Sequence, residues 1–334
     1  MIKCHVTATE SSRALKEADI PSAEEILVKS IERCAGPEAI ATLASNPDVA
    51  DLVLFAESHR NNDAIRHIVR HPLYLRHPEK CIVHCGMDSP EPLVPGLYPS
   101  IDSRWAKRLC CEGSPYLTPL NPFIEEAEED ELSAELLASF MGSCDKKAVR
   151  KRMAACAIKE EWTHIDFTDS GSNFVKSAQG GDLATHLALK RQFAADLKRA
   201  KFALCPAGAG PSSFRIFEAM KSARVPVVIA DTWTPPVGPD WDAFLIRISE
   251  ADIPHIPEIL RDKCADWEEM AAIARHEWER FYDLDTIGPQ VISRAAAVLA
   301  TVNARPRQRY FWAQFYVKGP RQMRILWMRI SNIT

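Results

Sequence analysis

No run of apolar residues in this 334-residue sequence approaches the roughly 20 needed to cross a bilayer. The opening MIKCHVTATESS also lacks the apolar stretch of a secretory signal. Together these absences give the expectation of a cytoplasmic protein, at most peripheral to the inner face of a membrane. Positive charge is not in excess: 41 Lys and Arg against 45 Asp and Glu leave a net charge of −4. A dedicated nucleic-acid binder would be clearly basic, so no nucleic-acid partner is expected. The ten cysteines include no C-x-x-C pair, which excludes a zinc ribbon. Cys4, Cys81, Cys85 and Cys205 sit in apolar, strand-like runs as small hydrophobes, as expected of a reducing compartment. The histidines form no H-E-x-x-H, and His67, His71 and His77 read as structural. Neither G-x-G-x-x-G nor G-x-x-x-x-G-K-[ST] occurs, so the usual dinucleotide and P-loop labels fail.

What is present is an alternation of short apolar runs and helical patterns. Glycine is outnumbered by proline, 13 to 23, which predicts defined loops rather than flexible linkers. A strand at 2–7, a helical pattern at 22–44, an apolar run at 49–55, a helix at 62–70 and a strand at 80–85 make a β-α-β-α-β series. Proline-rich loops are expected over 90–122, and the acidic run 125–135 reads as a solvated linker at a domain boundary. A second series follows: strands at 136–140, 163–167, 202–205 and 225–230, with helices at 146–157, 182–200 and 212–223. Helices beginning near Ile253, Ala265 and Thr286 close the pattern. The fold class is therefore α/β, with two Rossmann-like domains and ligands expected beyond the carboxyl ends of parallel strands.

The most informative stretch is 201–236, KFALCPAGAGPSSFRIFEAMKSARVPVVIADTWTPP. A buried strand ends in a loop whose Gly208 and Gly210 allow close backbone approach to a ligand. Ser212 or Ser213 then caps a helix, whose free N–H groups and positive dipole end favour a phosphate. Arg215 in the first turn has the fork geometry for phosphate oxygens. Glu218 lies three residues on, along the same face. A carboxylate there repels phosphate and suits the paired hydroxyls of a ribose, which describes a nucleotide-sugar site.

The same residues carry a resemblance. Cys205, Pro206, Gly208, Ser213, Arg215, Glu218, Ala219, Val225 to Val228 and Asp231 stand in an order that resembles the exostosin family of glycosyltransferases. The likeness continues through Asp240 to Phe244 and Ile248 to Ile253, and upstream through Phe140-Met141-Gly142 followed by Val149-Arg150. It spans about residues 136–282, with one departure: Ser222-Ala223-Arg224 replaces a turn in which glycine is usual. The resemblance implies a GT-B fold: an acceptor domain at 1–133, a nucleotide-sugar domain at 134–285, and a C-terminal helix and basic aromatic tail at 286–334 crossing back to the first. It implies an inverting transfer from a nucleotide-diphosphate sugar, with UDP the working nucleotide, to a glycan or polysaccharide acceptor. No cofactor and no metal are expected, because a helix end and basic side chains stabilise the departing diphosphate. The alternatives are a fucosyltransferase-like enzyme using a GDP-sugar, or a catalytically silent nucleotide-sugar-binding subunit.

An inverting displacement needs one general base at the acceptor hydroxyl. Strand ends of the first domain offer Asp88, ranked first, then Glu57, with His59 beside it. Arg150 is a second candidate for the diphosphate, joining Gly208, Ser212, Ser213, Arg215 and Glu218 as donor-binding positions. The D-x-D triplets at Asp240–Asp242 and Asp283–Asp285 follow no apolar strand and are read as chance. No acid follows Asp285, whereas arginines, Lys318 and aromatic residues are interleaved to the end. A final helix with a basic surface is the plain reading of that tail, and peripheral membrane contact through 305–334 the alternative.

Overall fold

The computed structural model describes the chain except residues 15–19, 58–63, 91, 93, 107–110, 125–133, 145–147, 160–161, 172, 174–176, 178–181 and 305–334. The acidic run up to Ser133, His59 and the basic aromatic tail thus lie outside the described residues. Two compact units emerge: residues 1–99, 103–118 and 287–334 form one, and residues 100–102 and 119–286 the other. Both are built on an all-parallel sheet.

In the first unit the strands are β1 (Ile2–Thr7), β2 (Ala41–Leu43), β3 (Leu52–Glu57), β4 (Cys81–Cys85), β5 (Gly96–Tyr98) and β6 (Cys111–Gly113), ordered β2-β1-β3-β4-β5-β6. β3 and β4 are buried at every residue, the continuous burial of strands covered on both faces. The helical pattern expected over 22–44 ends early: Ala23–Arg33 is helical, and the chain then turns into β2. Gly36-Pro37 accounts for the break, since proline cannot continue a helix. The helix starts on a capping box, Ser22 with Glu25. Two short strands and the helix Ser103–Ala106 lie in the region expected to be loops. The helix Ile287–Asn303 joins this unit's core through Val291, Ile292 and Val298, beside Leu27 and Ile31. Its Gly288 N–H donates to Ser30 Oγ at 2.8 Å, and Arg294 forks onto Glu112 at 2.7 to 2.9 Å.

In the second unit the strands are β7 (Leu136–Gly142), β8 (Ile165–Asp169), β9 (Ala200–Pro206), β10 (Val225–Ile229) and β11 (Ile246–Arg247), ordered β11-β10-β9-β7-β8. The helices Ala148–Lys159, Leu183–Lys198, Phe214–Lys221, Ile256–Asp262 and Trp267–Phe281 accompany them. Phe140, Phe202, Leu204, Val227, Ile253 and Trp267 share the core. β7 and β9 are neighbours, so the loops that follow them open at the same edge. The turn lacking its glycine has a structural answer. Ala223 takes φ +49° after the Phe214–Lys221 helix, and Arg224 N–H reaches Ala219 O at 2.9 Å. This is the left-handed helix stop that glycine makes without strain.

His84 on β4 is fully buried. Its Nε2 lies 2.9 Å from Pro115 O, an acceptor only, so that nitrogen carries the proton and donates. Burial drives its pKa from 6.5 down to about 4. The unfolded chain therefore takes up a proton that the folded chain refuses, and stability is lost as pH falls from about 6.5 to about 4. The drop amounts to about 3 kcal/mol. Urea unfolding of His84→Gln against wild type across that window checks it: the variant's slope with pH is expected to be shallower, and equal slopes reject it.

Candidate functional site

The donor-side candidates of the second unit meet at the ends of β7 and β9. Phe140, buried near the end of β7, has Arg215 over its ring at 5.3 Å and Arg150 at 5.8 Å. Arg215 also lies 5.6 Å from the ring of Phe193 on the Leu183–Lys198 helix. Its Nε donates to Met141 O at 3.2 Å, and Nη2 donates to the same carbonyl. Arg150 Nε donates to Ala207 O at 3.2 Å, in the loop after β9. Two glycines make room for these groups. A Cβ on Gly142 would stand 2.7 Å from Arg215 Nη2, and one on Gly208 would stand 2.7 Å from Arg150 Nη2. Each guanidinium is thus anchored to main-chain carbonyls, with aromatic carbon beside it.

The Phe214–Lys221 helix begins as its sequence predicts at the cap. Ser213 is extended, and its Oγ accepts the Arg215 N–H at 3.3 Å. Ser212 N–H donates to Ser100 Oγ at 3.3 Å. Ser212 Oγ is enclosed and has no hydrogen-bond partner among the described residues. A buried hydroxyl left unpaired costs about 1–3 kcal/mol, so this atom is suited to a ligand's polar group. Glu218, 8% exposed, accepts the Asn121 N–H on Oε1 at 3.2 Å. Its Oε2 takes no hydrogen bond from any described residue. Burial raises the Glu218 pKa, opposed by the Arg215 charge and the Asn121 N–H. Burial lowers that of Arg215, opposed first by Glu218. The nearby Cys205 thiol is pushed up to about 12 by burial and stays neutral.

In the first unit, Glu57 ends β3 and is completely buried. Oε1 accepts the Thr9 N–H at 2.9 Å, and Oε2 accepts Thr9 Oγ1 at 2.9 Å and Ser12 Oγ. That arrangement ties down the chain after β1 and engages both carboxylate oxygens, which favours an anchor over a base. Asp88 is half-buried in the loop after β4, where Oδ1 accepts the Tyr116 hydroxyl at 3.2 Å. No three His, Cys, Asp or Glu residues are grouped to hold a metal ion among the described residues. Asp240 precedes the short helix Trp241–Phe244, with its N–H 3.3 Å from Glu277 Oε2.

Sequence reasoning missed three contributors. The motif marks Phe140 by its place and not as a ring that two arginines share. The Met141 carbonyl is main chain and has no residue signature. Asn121 acts through its backbone N–H, and an Asn-Pro dipeptide announces only a turn.

Residues 103–263 match the model of the exostosin GT47 domain. An exostosin-1 homolog of Caenorhabditis elegans is 41% identical over 66 residues, 19% of this chain and 17% of that protein. A probable beta-1,4-xylosyltransferase of Arabidopsis thaliana, IRX10, is 37% identical over 67 residues, 20% and 16% of the two chains. The chain thus spans about a sixth of the length of these curated relatives. A crystal structure of Anabaena HepE in complex with UDP-glucose aligns over 91% of this chain and 100% of its own, at 12% identity and a TM-score of 0.43. The fold is α/β, with two compact units each built on a parallel sheet. Residues 103–263, just under half of the chain, are thus similar to the exostosin GT47 domain.

Proposed function

We propose that the chain is an inverting glycosyltransferase that moves a sugar from a nucleotide-diphosphate donor to a hydroxyl of a glycan or polysaccharide acceptor. One observation carries the reading. Arg150 and Arg215 share the Phe140 ring beside a capped helix start and the unpaired Ser212 hydroxyl, and Glu218 keeps one carboxylate oxygen open a turn later. The guanidiniums and the helix start take the diphosphate, and Glu218 accepts hydrogen bonds from the ribose hydroxyls. As the acceptor oxygen bonds to the anomeric carbon, the bond from that carbon to the diphosphate oxygen breaks. The negative charge that develops on the leaving diphosphate is met by groups already in place, so no metal is required. Asp88 is the base that takes the acceptor's proton. The GT47 match and the relatives' printed names, a xylosyltransferase and a glucuronosyltransferase among them, support a pentosyl or hexosyl donor, and UDP is the nucleotide we propose for it.

The test is a thermal-shift panel of UDP-, GDP- and CMP-sugars with EDTA throughout, followed by mass analysis of products. A ligand that binds only the folded state raises the melting point. UDP-sugars are expected to do so; a flat response to every nucleotide sugar sinks the reading. Asp88→Asn is expected to lower turnover at least about 100-fold, the scale of a lost general base, with UDP affinity unchanged. Near-normal turnover removes Asp88 from the mechanism.

A further inference from the structure

The carboxylate assigned to the ribose has a cation close by that competes for it. Glu218 is buried in the same helix as Arg215, and an unpaired buried carboxylate is drawn strongly to a nearby cation. If the two closed into an ion pair, one group would be lost to the ribose and the other to the diphosphate. No salt bridge joins them among the described residues: Arg215 is held on the Met141 carbonyl, and Glu218 accepts the Asn121 N–H on Oε1.

Asn121 is 8% exposed, and every one of its polar groups is used. Its N–H goes to Glu218 Oε1 at 3.2 Å. Nδ2 donates to Lys190 O at 2.8 Å, on the Leu183–Lys198 helix. Oδ1 accepts the Phe123 N–H at 3.2 Å, and its carbonyl accepts the Ile124 N–H at 3.0 Å. The last two bonds close a turn on an asparagine side chain. Pro122 follows and biases residue 121 toward extended backbone, which fixes the direction of its N–H. Arg191 covers Phe123 at 4.5 Å and holds the turn against the helix. A side chain with both a donor and an acceptor is needed to make the turn and reach Lys190 together, and asparagine supplies both.

We propose that Asn121 is a positioning residue for the donor ribose, holding Glu218 by one oxygen so that the other stays open and the carboxylate stays off Arg215. The inference rests on the donor-site reading given above. It concerns a residue that touches neither sugar nor phosphate and acts only through Glu218.

The experiment compares UDP with 2′,3′-dideoxy-UDP, which lacks both ribose hydroxyls, by calorimetry on the full chain. Wild type is expected to prefer UDP by about tenfold or more, the worth of hydrogen bonds to a charged group. In Asn121→Ala that preference falls to near one. Glu218→Gln loses it as well, and Asn121→Ala adds nothing further in the Glu218→Gln background. Asn121→Ser, whose hydroxyl still accepts the Phe123 N–H, recovers part of it. A merely structural loosening would weaken both nucleotides together and leave the ratio intact, and an intact ratio overturns the proposal. If Asn121→Ala does not fold, Asn121→Ser decides alone: a wild-type ratio there overturns it. If wild type binds UDP with no preference for the hydroxyls, the ribose role of Glu218 falls, and this inference with it. Failure of wild type to bind UDP or any other nucleoside diphosphate overturns the donor-site reading itself.

Discussion

Arg215→Ala is expected to weaken UDP binding by at least about 100-fold, the largest effect of any single change in the second unit. Two or more charge-assisted hydrogen bonds to phosphate at a partly enclosed site are worth about 3 kcal/mol or more together, which corresponds to that factor. The side chain is also pre-placed. It lies between Phe140 and Phe193 and is tied to Met141 O, so little conformational freedom remains to be lost when phosphate arrives. Arg215→Lys keeps the charge but not the fork that reaches carbonyl and phosphate at once, and is expected to fall in between, at about tenfold. Because Arg215 also bonds the end of β7, the alanine variant should unfold more easily by about 1 kcal/mol. Calorimetry of UDP binding, performed well below the melting point, separates the two effects. An unchanged dissociation constant for Arg215→Ala removes the phosphate role.

How much of this was legible in the sequence depended on whether the determining contacts are local. The long strands were readable because strands covered on both faces are continuous apolar runs, as in Leu52 to Ala56 and Val225 to Ile229. Strands β5 and β6, at three residues each, show no period, and only their neighbours in the sheet define them. The helix stops at Arg33 although the apolar spacing runs on to residue 44, because the backbone at Gly36-Pro37 cannot continue it. Among site residues, Ser213, Arg215 and Glu218 stand within one helix start, so their spacing alone placed them on a common feature. Asn121 reaches Glu218 across 97 residues through a main-chain atom, and no side-chain pattern records such a bond. Glu57 shows the opposite limit. Its place at a strand end was readable, but its partners lie 45 to 48 residues earlier and turn a candidate base into an anchor.

That reassignment makes the second large prediction. Glu57→Leu, close in size, leaves the Thr9 N–H, Thr9 Oγ1 and Ser12 Oγ without their buried acceptor. The three lost hydrogen bonds to this buried carboxylate together cost about 3–5 kcal/mol for the first unit, a large share of a domain's stability. Glu57→Gln keeps one acceptor oxygen and should lose about half as much. Urea unfolding followed by a first-unit probe measures both. The comparison with turnover then separates an anchor from a base. An anchor predicts that Glu57→Gln unfolds earlier yet, while folded, turns over far faster than Asp88→Asn. A base predicts the reverse: an unchanged midpoint and abolished turnover. Observation of that reverse pattern would return Glu57 to the mechanism and displace Asp88, since an inverting displacement takes only one base at the acceptor.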